Sequence, residues 1–420
     1  MLVNFTFQNF MSFLGKNTLS MLASDDDHLF ETHTFTKKTK ENEYRLLKSA
    51  ITFGANASGK TNVLRAVDTM KEIVISSHNK QSYLITNIQR FLYSTKATKT
   101  PVSFEIEFFV NGTLLKYGFE INKGKISKEY LYKNEDEVNH VFFRSGPSPS
   151  KLKISDELND IKHFQKNLRP DSLFLSLATF GNNKIANQVY NWFKNLLIFI
   201  KYDDNYRQFQ TPLFINENNE NKNKVLNFLQ KADRNIANLI MNPIDERSKK
   251  LLSDSSFDRN LDDYIYLIKN LAIKASHPVY DENGKICDSK DSEKYLQSAG
   301  TRRMLEISSP IISAIEGGYV VLFDELDSRL SPKLSHFIFH LFNTIDVNKK
   351  NAQLICNVHN LLFMDTSIRK DQIYFVDKND YGVSKLYSLF DFKDIKKNDS
   401  IIDLYMLGAF GAIPIIKDDI

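Results

Sequence analysis

Cysteine is scarce here: Cys287 and Cys356 are the two in 420 residues, and neither stands at a ligand-like spacing from another Cys or a His. That argues against a disulfide framework and a zinc site, and it fits a reducing, cytoplasmic setting. An excess of one charge is also lacking, because 55 Lys plus Arg face 51 Asp plus Glu for a net +4. Bulk electrostatics therefore make no case for nucleic acid, and DNA is left to a local patch that nothing requires. Long apolar runs are missing as well. "NWFKNLLIFIKY" and "GGYVVLFDEL" meet charged residues well short of the roughly twenty apolar residues a membrane span needs. No heptad run appears, which excludes a long coiled coil, and no internal repeat is found. The start, "MLVNFTFQNFMSF", alternates like a strand and lacks the basic head and apolar block of a leader peptide.

What is present suits a globular chain with a substantial core: 42% of residues are hydrophobic and 25% charged. "LVNFTFQNF" and "LLKSAITFGA" read as strands, the second running into a glycine loop, and "NVLRAVDTMKEIVISS" follows with helical apolar spacing. From 102 to 143 the period becomes two, broken by the turn signal "NGT", which predicts an antiparallel meander. The region from about 185 to 275 reads as helical, with the polar tract "NENNENKNK" as an exposed loop and "KYDDNYRQFQ" and "RSKKLL" on a solvated insertion. Strands return in "YVVLFDE", "AQLICNVHN" and "DQIYFVDK". Gly408 and Gly411 near the end predict a tight turn packed on the body of the protein.

Gly54, Gly59, Lys60 and Thr61 satisfy G-x-x-x-x-G-K-[ST] between a strand and a helix. Backbone amides of such a loop cradle phosphate oxygens, the lysine reaches the β and γ phosphates, and the threonine hydroxyl ligates Mg²⁺. ATP and Mg²⁺ are the expected cofactors. "YVVLFDELD" ends an apolar strand in Asp324 and Glu325. Laid beside the loop strand in a parallel sheet, it brings Asp324 to the metal shell and Glu325 to the γ-phosphate as general base.

Upstream of that strand, Ser298, Ala299, Gly300 and Thr301 open a helical apolar pattern. A plain helix cap at Ser298 is one reading. The other is that the turn resembles the Ser-x-Gly signature of ABC-type ATPases, which completes the nucleotide site of an opposing subunit. That resemblance implies that Ser298 and Gly300 reach a partner's γ-phosphate, that Asp327 lies at the same seam, and that His359, ending "AQLICNVHN", senses the γ-phosphate beside the acidic strand. The Q-loop position stays open among Asn182, Asn183 and Gln188.

"GANASGKTN", with Asn56 and Asn62, and "FQNFMSF" resemble the SMC, RecF and OLD branch of ABC ATPases. More narrowly, "QSAGTRRMLEI", "VLFDELDSRLSP", "RKDQIYFVDKNDYGVSKLYSLFDF" and "YMLGAFGAIPII" resemble the RloA and AbiL type of bacterial ATPases. The fold so implied is α/β, an ABC-ATPase head: a P-loop NTPase sheet with an antiparallel β subdomain and a helical subdomain or insertion. Its expected divisions are 1–180 with the loop and β subdomain, 181–296 helical, and 297–420 with signature, acidic strand and switch His. The implied function is ATP binding and hydrolysis in a phage-defence system. The chain would assemble with itself through its ATP sites, answer a phage-derived trigger and control a separate nuclease or toxin effector. A RecF- or SMC-like DNA clamp is the alternative. This sequence departs from the family pattern at Ser331, where His is usual, at Gln297, where Glu is usual, and at Phe180, where a Q-loop Gln is expected. These departures point to slow turnover.

Overall fold

The computed structural model describes residues 1–77, 83–133, 136–199, 209–253, 261–293, 297–365, 367–393, 395 and 399–413. By internal contacts the chain divides into two compact units, Met1–Ile200 with Gly317–Leu326 and Phe339–Ile420, and Lys201–Glu316 with Asp327–Ile338.

The first unit is built on two sheets. Seven antiparallel strands form one, in the order β10-β9-β8-β7-β6-β1-β2: β1 Leu2–Gln8, β2 Asn17–Ser20, β6 Val102–Val110, β7 Thr113–Asn122, β8 Lys125–Lys133, β9 Asp136–Arg144 and β10 Leu152–Ile154. This is the expected meander, extended by the N-terminal strand. In β6 alternate residues Phe104, Ile106 and Phe108 are buried, so the period-two pattern has one wet and one dry face. The second sheet runs β11-β15-β16-β5-β17-β18: β5 Ser49–Phe53, β11 Leu197–Phe199, β15 Val320–Phe323, β16 Gln353–Asn357, β17 Ile373–Lys378 and β18 Ser384–Ser388. All neighbours in it are parallel except β17 and β18. β5, β15 and β16 are buried at every position, as strands covered on both faces must be. A two-stranded ribbon, β3 Thr34–Lys38 and β4 Glu43–Leu47, completes the set. Hence "LLKSAITF" is not one strand: Lys48 separates β4 from β5, and the two join different sheets.

Helix α2, Lys60–Ser76, contributes Val63, Leu64, Val67, Met70 and Val74 to one continuous core that also holds Phe104 and Tyr117 of the antiparallel sheet and Ile355 and Val376 of the parallel one. Shorter helices α1 Phe30–His33, α3 Tyr83–Thr86, α4 Phe174–Ala178 and α5 Lys184–Lys194 belong to the same unit, as does α12 Ile401–Met406. Buried Gln353 fastens the sheets together, accepting from Leu2 N at 2.6 Å and donating to Leu2 O and Leu47 O at 3.0 Å each. After α12, Gly408 (φ 80°) and Gly411 (φ 65°) make the expected turn. Tyr387 Oη donates to Phe410 O at 2.6 Å, and Phe410 stacks on Phe375 at 5.4 Å, so the turn is docked on β17 and β18.

The second unit holds α6 Gln210–Glu217, α7 Asn219–Leu229, α8 Glu246–Ser253 and α9 Leu261–Asn270. It also holds α10 Ala299–Gly317 up to Glu316 and α11 Pro332–Asn343 up to Ile338. "NENNENKNK" is not a loop. Asn218 caps α7, its Oδ1 accepting from Asn221 N at 2.8 Å, while Val225, Phe228 and Leu229 bury one face. Of the polar residues read as loop, Asn216 and Glu217 end α6, Asn219, Glu220 and Asn223 are exposed on α7, and Asn221 is buried. A three-stranded antiparallel sheet, β12 Asn238–Ile240, β13 Lys274–Tyr280 and β14 Ile286–Glu293, was not expected. Of "KYDDNYRQFQ", residues 201–208 lie outside the described residues, as does the end of the terminal motif from 414.

Candidate functional site

The glycine loop leaves β5 through Gly54 (φ 153°) and enters α2 through Gly59 (φ 116°). A Cβ at Gly54 would stand 2.3 Å from Val376 O, and one at Gly59 would stand 2.7 Å from Ser384 Oγ and 2.8 Å from Ser12 Oγ. Both positions thus need glycine for space and for backbone angle. Lys60, the first residue of α2, folds its ammonium over the loop, with Nζ donating to Gly54 O at 2.7 Å and Ala55 O at 3.1 Å. Asn56 is exposed at the loop tip.

Asn62 faces inward instead. Its Nδ2 donates to Ser12 Oγ at 2.9 Å; Ser384 N donates to Ser12 O at 2.8 Å; Ser384 Oγ donates to Ser58 O at 2.5 Å. Ser12 and Ser384 brace the loop from far off in the chain, Ser12 standing 50 residues from Asn62 and Ser384 326 from Ser58, and sequence reading missed both. The only signal was Ser12 inside "FQNFMSF".

The acidic strand is not the neighbour of the loop strand. β16 lies between them, pairing Phe323 with Cys356 on one side and Thr52 with Asn357 on the other. β15 and β16 are both buried at every position, so burial pattern cannot order them. The end of β16 closes the gap: Asn357 Nδ2 donates to Asp324 Oδ1 at 2.7 Å, and Thr61 Oγ1 donates to the same oxygen at 3.2 Å. Burial pushes the Asp324 carboxyl up from its usual range, and the bonds from Asn357 and Thr61 pull against it. Asn357, two residues before His359, is the residue sequence reading overlooked.

Glu325 adopts a left-handed backbone (φ 51°), uncommon for a residue with a side chain. That conformation turns the chain, so that Glu325 is half exposed where Asp324 is largely buried. Its Oε1 lies 4.0 Å from His359 Nε2, the outer limit of an ion pair. Lys60, Thr61, Asp324, Glu325 and His359 are therefore gathered at the carboxyl ends of β5, β15 and β16, where ligands of open parallel sheets sit.

Three buried polar atoms of this region, Thr52 Oγ1, Ser58 Oγ and Asn357 Oδ1, have no partner among the described residues. Orphan donors and acceptors beside a cradle that a single Cβ would fill fit a bound phosphate group with its metal. No cluster of three or more His, Cys, Asp or Glu exists among the described residues. One hydroxyl and one carboxylate, Thr61 and Asp324, match a magnesium ion that takes its other ligands from phosphate and water.

Ser298, Gly300 and Asp327 belong to the second unit. Ser298 is exposed and caps α10, its Oγ accepting from Thr301 N at 3.1 Å. A Cβ on Gly300 would be 3.3 Å from Arg329 O. The turn after the acidic strand is closed by Leu330 N donating to Asp327 O at 3.2 Å, so the Ser298 turn and the Asp327 turn lie side by side. Gln297, next to Ser298, donates from Nε2 to Ser292 Oγ at 2.5 Å and lies 3.2 Å from His277 Nε2, tying the turn to β13 and β14. Of the Q-loop candidates, Asn183 is spent as the cap of α5, accepting from Ile185 N and Ala186 N, with its amide on Asp160. Asn182 is left-handed (φ 55°), and Gln188 lines a cleft of about 450 Å³ with Asn191 and Trp192.

Sheet order, glycine cradle and acidic strand define a P-loop ATPase head of the ABC type. Residues 53–365 match the model of the family described as "AAA domain, putative AbiEii toxin, Type IV TA system", and the chain belongs to that family. Among solved structures it is similar to one described as "Crystal structure of the SmcHead bound to the C-winged helix domain of ScpA", at 13% identity and a TM-score of 0.39, over 92% of this chain and 97% of that one. No curated protein matches. No helix among the described residues is long and apolar enough to cross a membrane.

Proposed function

We propose that the chain binds and hydrolyses ATP, assembles with itself through its nucleotide sites, and uses that cycle to control a separate nuclease or toxin effector in phage defence. The observation that carries the ATPase reading is the Thr61–Asp324–Asn357 junction, which joins the glycine-loop helix to the acidic strand across β16. The amides of the loop around Gly59, with Asn56 at its tip and Asn62 bracing it, hold the phosphates, and Lys60 supplies the positive charge. Thr61 and Asp324 hold the metal, which when bound neutralises phosphate charge. Glu325 takes the proton of the attacking water, and His359 steadies the γ-phosphate end. Ser298 and Gly300, with Asp327, cap the triphosphate of a second copy, because Ser298 is exposed at the N-terminus of α10. The RloA- and AbiL-like motifs and the toxin–antitoxin wording of the family description support the defence role.

The test pairs two variants. Hydrogen bonds to charged groups are worth about 1.5–3 kcal/mol, so Lys60→Ala weakens ATP binding by roughly 10–100-fold. Glu325→Gln keeps binding but slows hydrolysis by roughly 10²–10⁴-fold and accumulates an ATP-bound assembly on a sizing column. A Glu325→Gln protein whose assembly state is the same with and without saturating ATP refutes head-to-head closure. Tight ATP-dependent binding to duplex DNA with steep salt dependence would replace the effector reading by a clamp.

A further inference from the structure

One edge of β14 is open among the described residues. Among the described residues β14 pairs only with β13, and Ile286 to Asp291 are all exposed. Eight residues is long for an uncovered edge, and although its charges Asp288, Lys290, Asp291 and Glu293 guard it against unlike strands, such an edge is a template for a strand of matching charge.

The pairing fixes which groups it offers. Ala237 N donates to Ser276 O on the β12 side, so Ala275, His277 and Val279 turn toward β14. Their partners Ser292, Lys290 and Asp288 turn inward to meet them. Ser289 and Asp291 therefore direct their N–H and C=O outward. Pro278, with no N–H to give, stands opposite Ser289, where the β13–β14 ladder makes no bond.

Now let a second copy approach antiparallel about a two-fold axis, so that the axis must pass through a residue pair. Centred on Lys290, the pairing sets Lys290 against Lys290. Centred on Asp291, it sets Asp291 against Asp291. Centred on Ser289, it sets Asp288 against Lys290 twice, on one face, and forms the Ser289–Ser289 ladder bonds with the outward groups. Of these three registers in the regular part of the strand, only the last puts no like charges opposite each other.

We infer that β14 pairs with β14 of a second copy about Ser289, joining two three-stranded sheets into one of six strands, independently of nucleotide. Ile286, 63% exposed, is partly covered in that pair by Ser292 of the copy. This contact is distinct from the nucleotide-dependent closure proposed above and stands whether or not that closure occurs.

The test is made in the Lys60→Ala background without nucleotide, where closure through ATP is silent. Sedimentation gives a concentration-dependent dimer that weakens with salt. Asp288→Lys alone and Lys290→Asp alone each replace two attractions by two repulsions and weaken the dimer by roughly 10-fold. The double exchange Asp288→Lys with Lys290→Asp restores it, which damage to the fold cannot do. Ser289→Cys cross-links across the axis under oxidation, whereas Cys287 in the parent does not, since in this register it faces Asp291. A parent that remains monomeric at about 100 μM, far above the micromolar range of a specific contact, overturns the inference. So does a double exchange that fails to recover the dimer, or a Ser289→Cys protein that does not cross-link.

Discussion

Asn357 occupies a position that neither the glycine loop nor the acidic pair can fill for itself. Its side chain is buried, one end holding Asp324 at 2.7 Å and the other an acceptor with no partner among the described residues. Replacing it by Leu removes the donor and leaves Asp324 with the longer bond from Thr61. Magnesium-dependent nucleotide affinity is then expected to fall by roughly 10-fold, the worth of about one charge-assisted hydrogen bond, while affinity in EDTA is unchanged. Titration of a fluorescent ATP analogue with and without Mg²⁺ checks this, and equal losses in both conditions would assign Asn357 to the fold alone. His33 offers a second residue-scale test. Its Nδ1 lies 2.8 Å from Gln372 Oε1, and burial lowers its pKa to about 4 from 6.5. The unfolded chain binds this proton first, so the stability is present above pH 6.5 and is lost as pH falls toward 4. The gap of 2.5 between those two values corresponds to on the order of 3 kcal/mol. Urea midpoints across that range should fall with acid in the parent and fall less in His33→Gln.

Between the sheet and the chain that follows it, a single carboxylate organises a helix start. Glu129 on β8 is fully buried and accepts from Phe174 N at 2.7 Å, Leu175 N at 3.0 Å and Tyr117 Oη at 3.1 Å, with Arg144 Nη1 at 3.7 Å. Arg144 spends its other donors on Ser172 O, Gly146 O, Pro147 O and Arg169 O. Burial pushes the Glu129 carboxyl up, and Arg144 with the two amides pulls against it. Glu129→Leu strands the guanidinium and the first amides of α4, so a loss of about 3–5 kcal/mol is expected, read by chemical denaturation. None of this was visible in "KEYLYKNED", where Glu129 looks like an outward residue of an alternating strand. Pattern reading succeeds where burial is uniform, as in β15 and β16, or alternates along most of a strand, as in β6 from Val102 to Phe108. It fails where polarity misleads in either direction. The wet face of α7 resembles a loop, and β14, "ICDSKDSE", is exposed along most of its length and so carries no alternation at all. The glycine loop, the Asp324–Glu325 pair and the position of His359 just past a strand end were legible because each is local. Strand order and the braces Ser12, Ser384 and Asn357 were not, because they depend on contacts across tens to hundreds of residues.

At the level of the whole protein, a shared nucleotide site predicts complementation between defective chains. At ATP concentrations too low to fill the weakened site of Lys60→Ala, that variant lacks the phosphate grip and Ser298→Arg blocks the cap, so each alone is close to inactive. Mixed in equal amounts, half of the dimers are hybrids in which one of the two composite sites is intact, so about a quarter of parental ATPase activity returns. A site complete within one chain would return none. The unpaired edge of β14 adds a geometric consequence. A two-fold contact consumes its own surface and stops at two copies, but a molecule with two different two-fold contacts can alternate them, and the series ends only if it closes on itself. Nucleotide would then govern how many molecules are linked, with each hydrolysis event cutting a row at one joint. Gln297, bonded to Ser292 of β14 and adjacent to Ser298, would set those two joints within a few residues of each other.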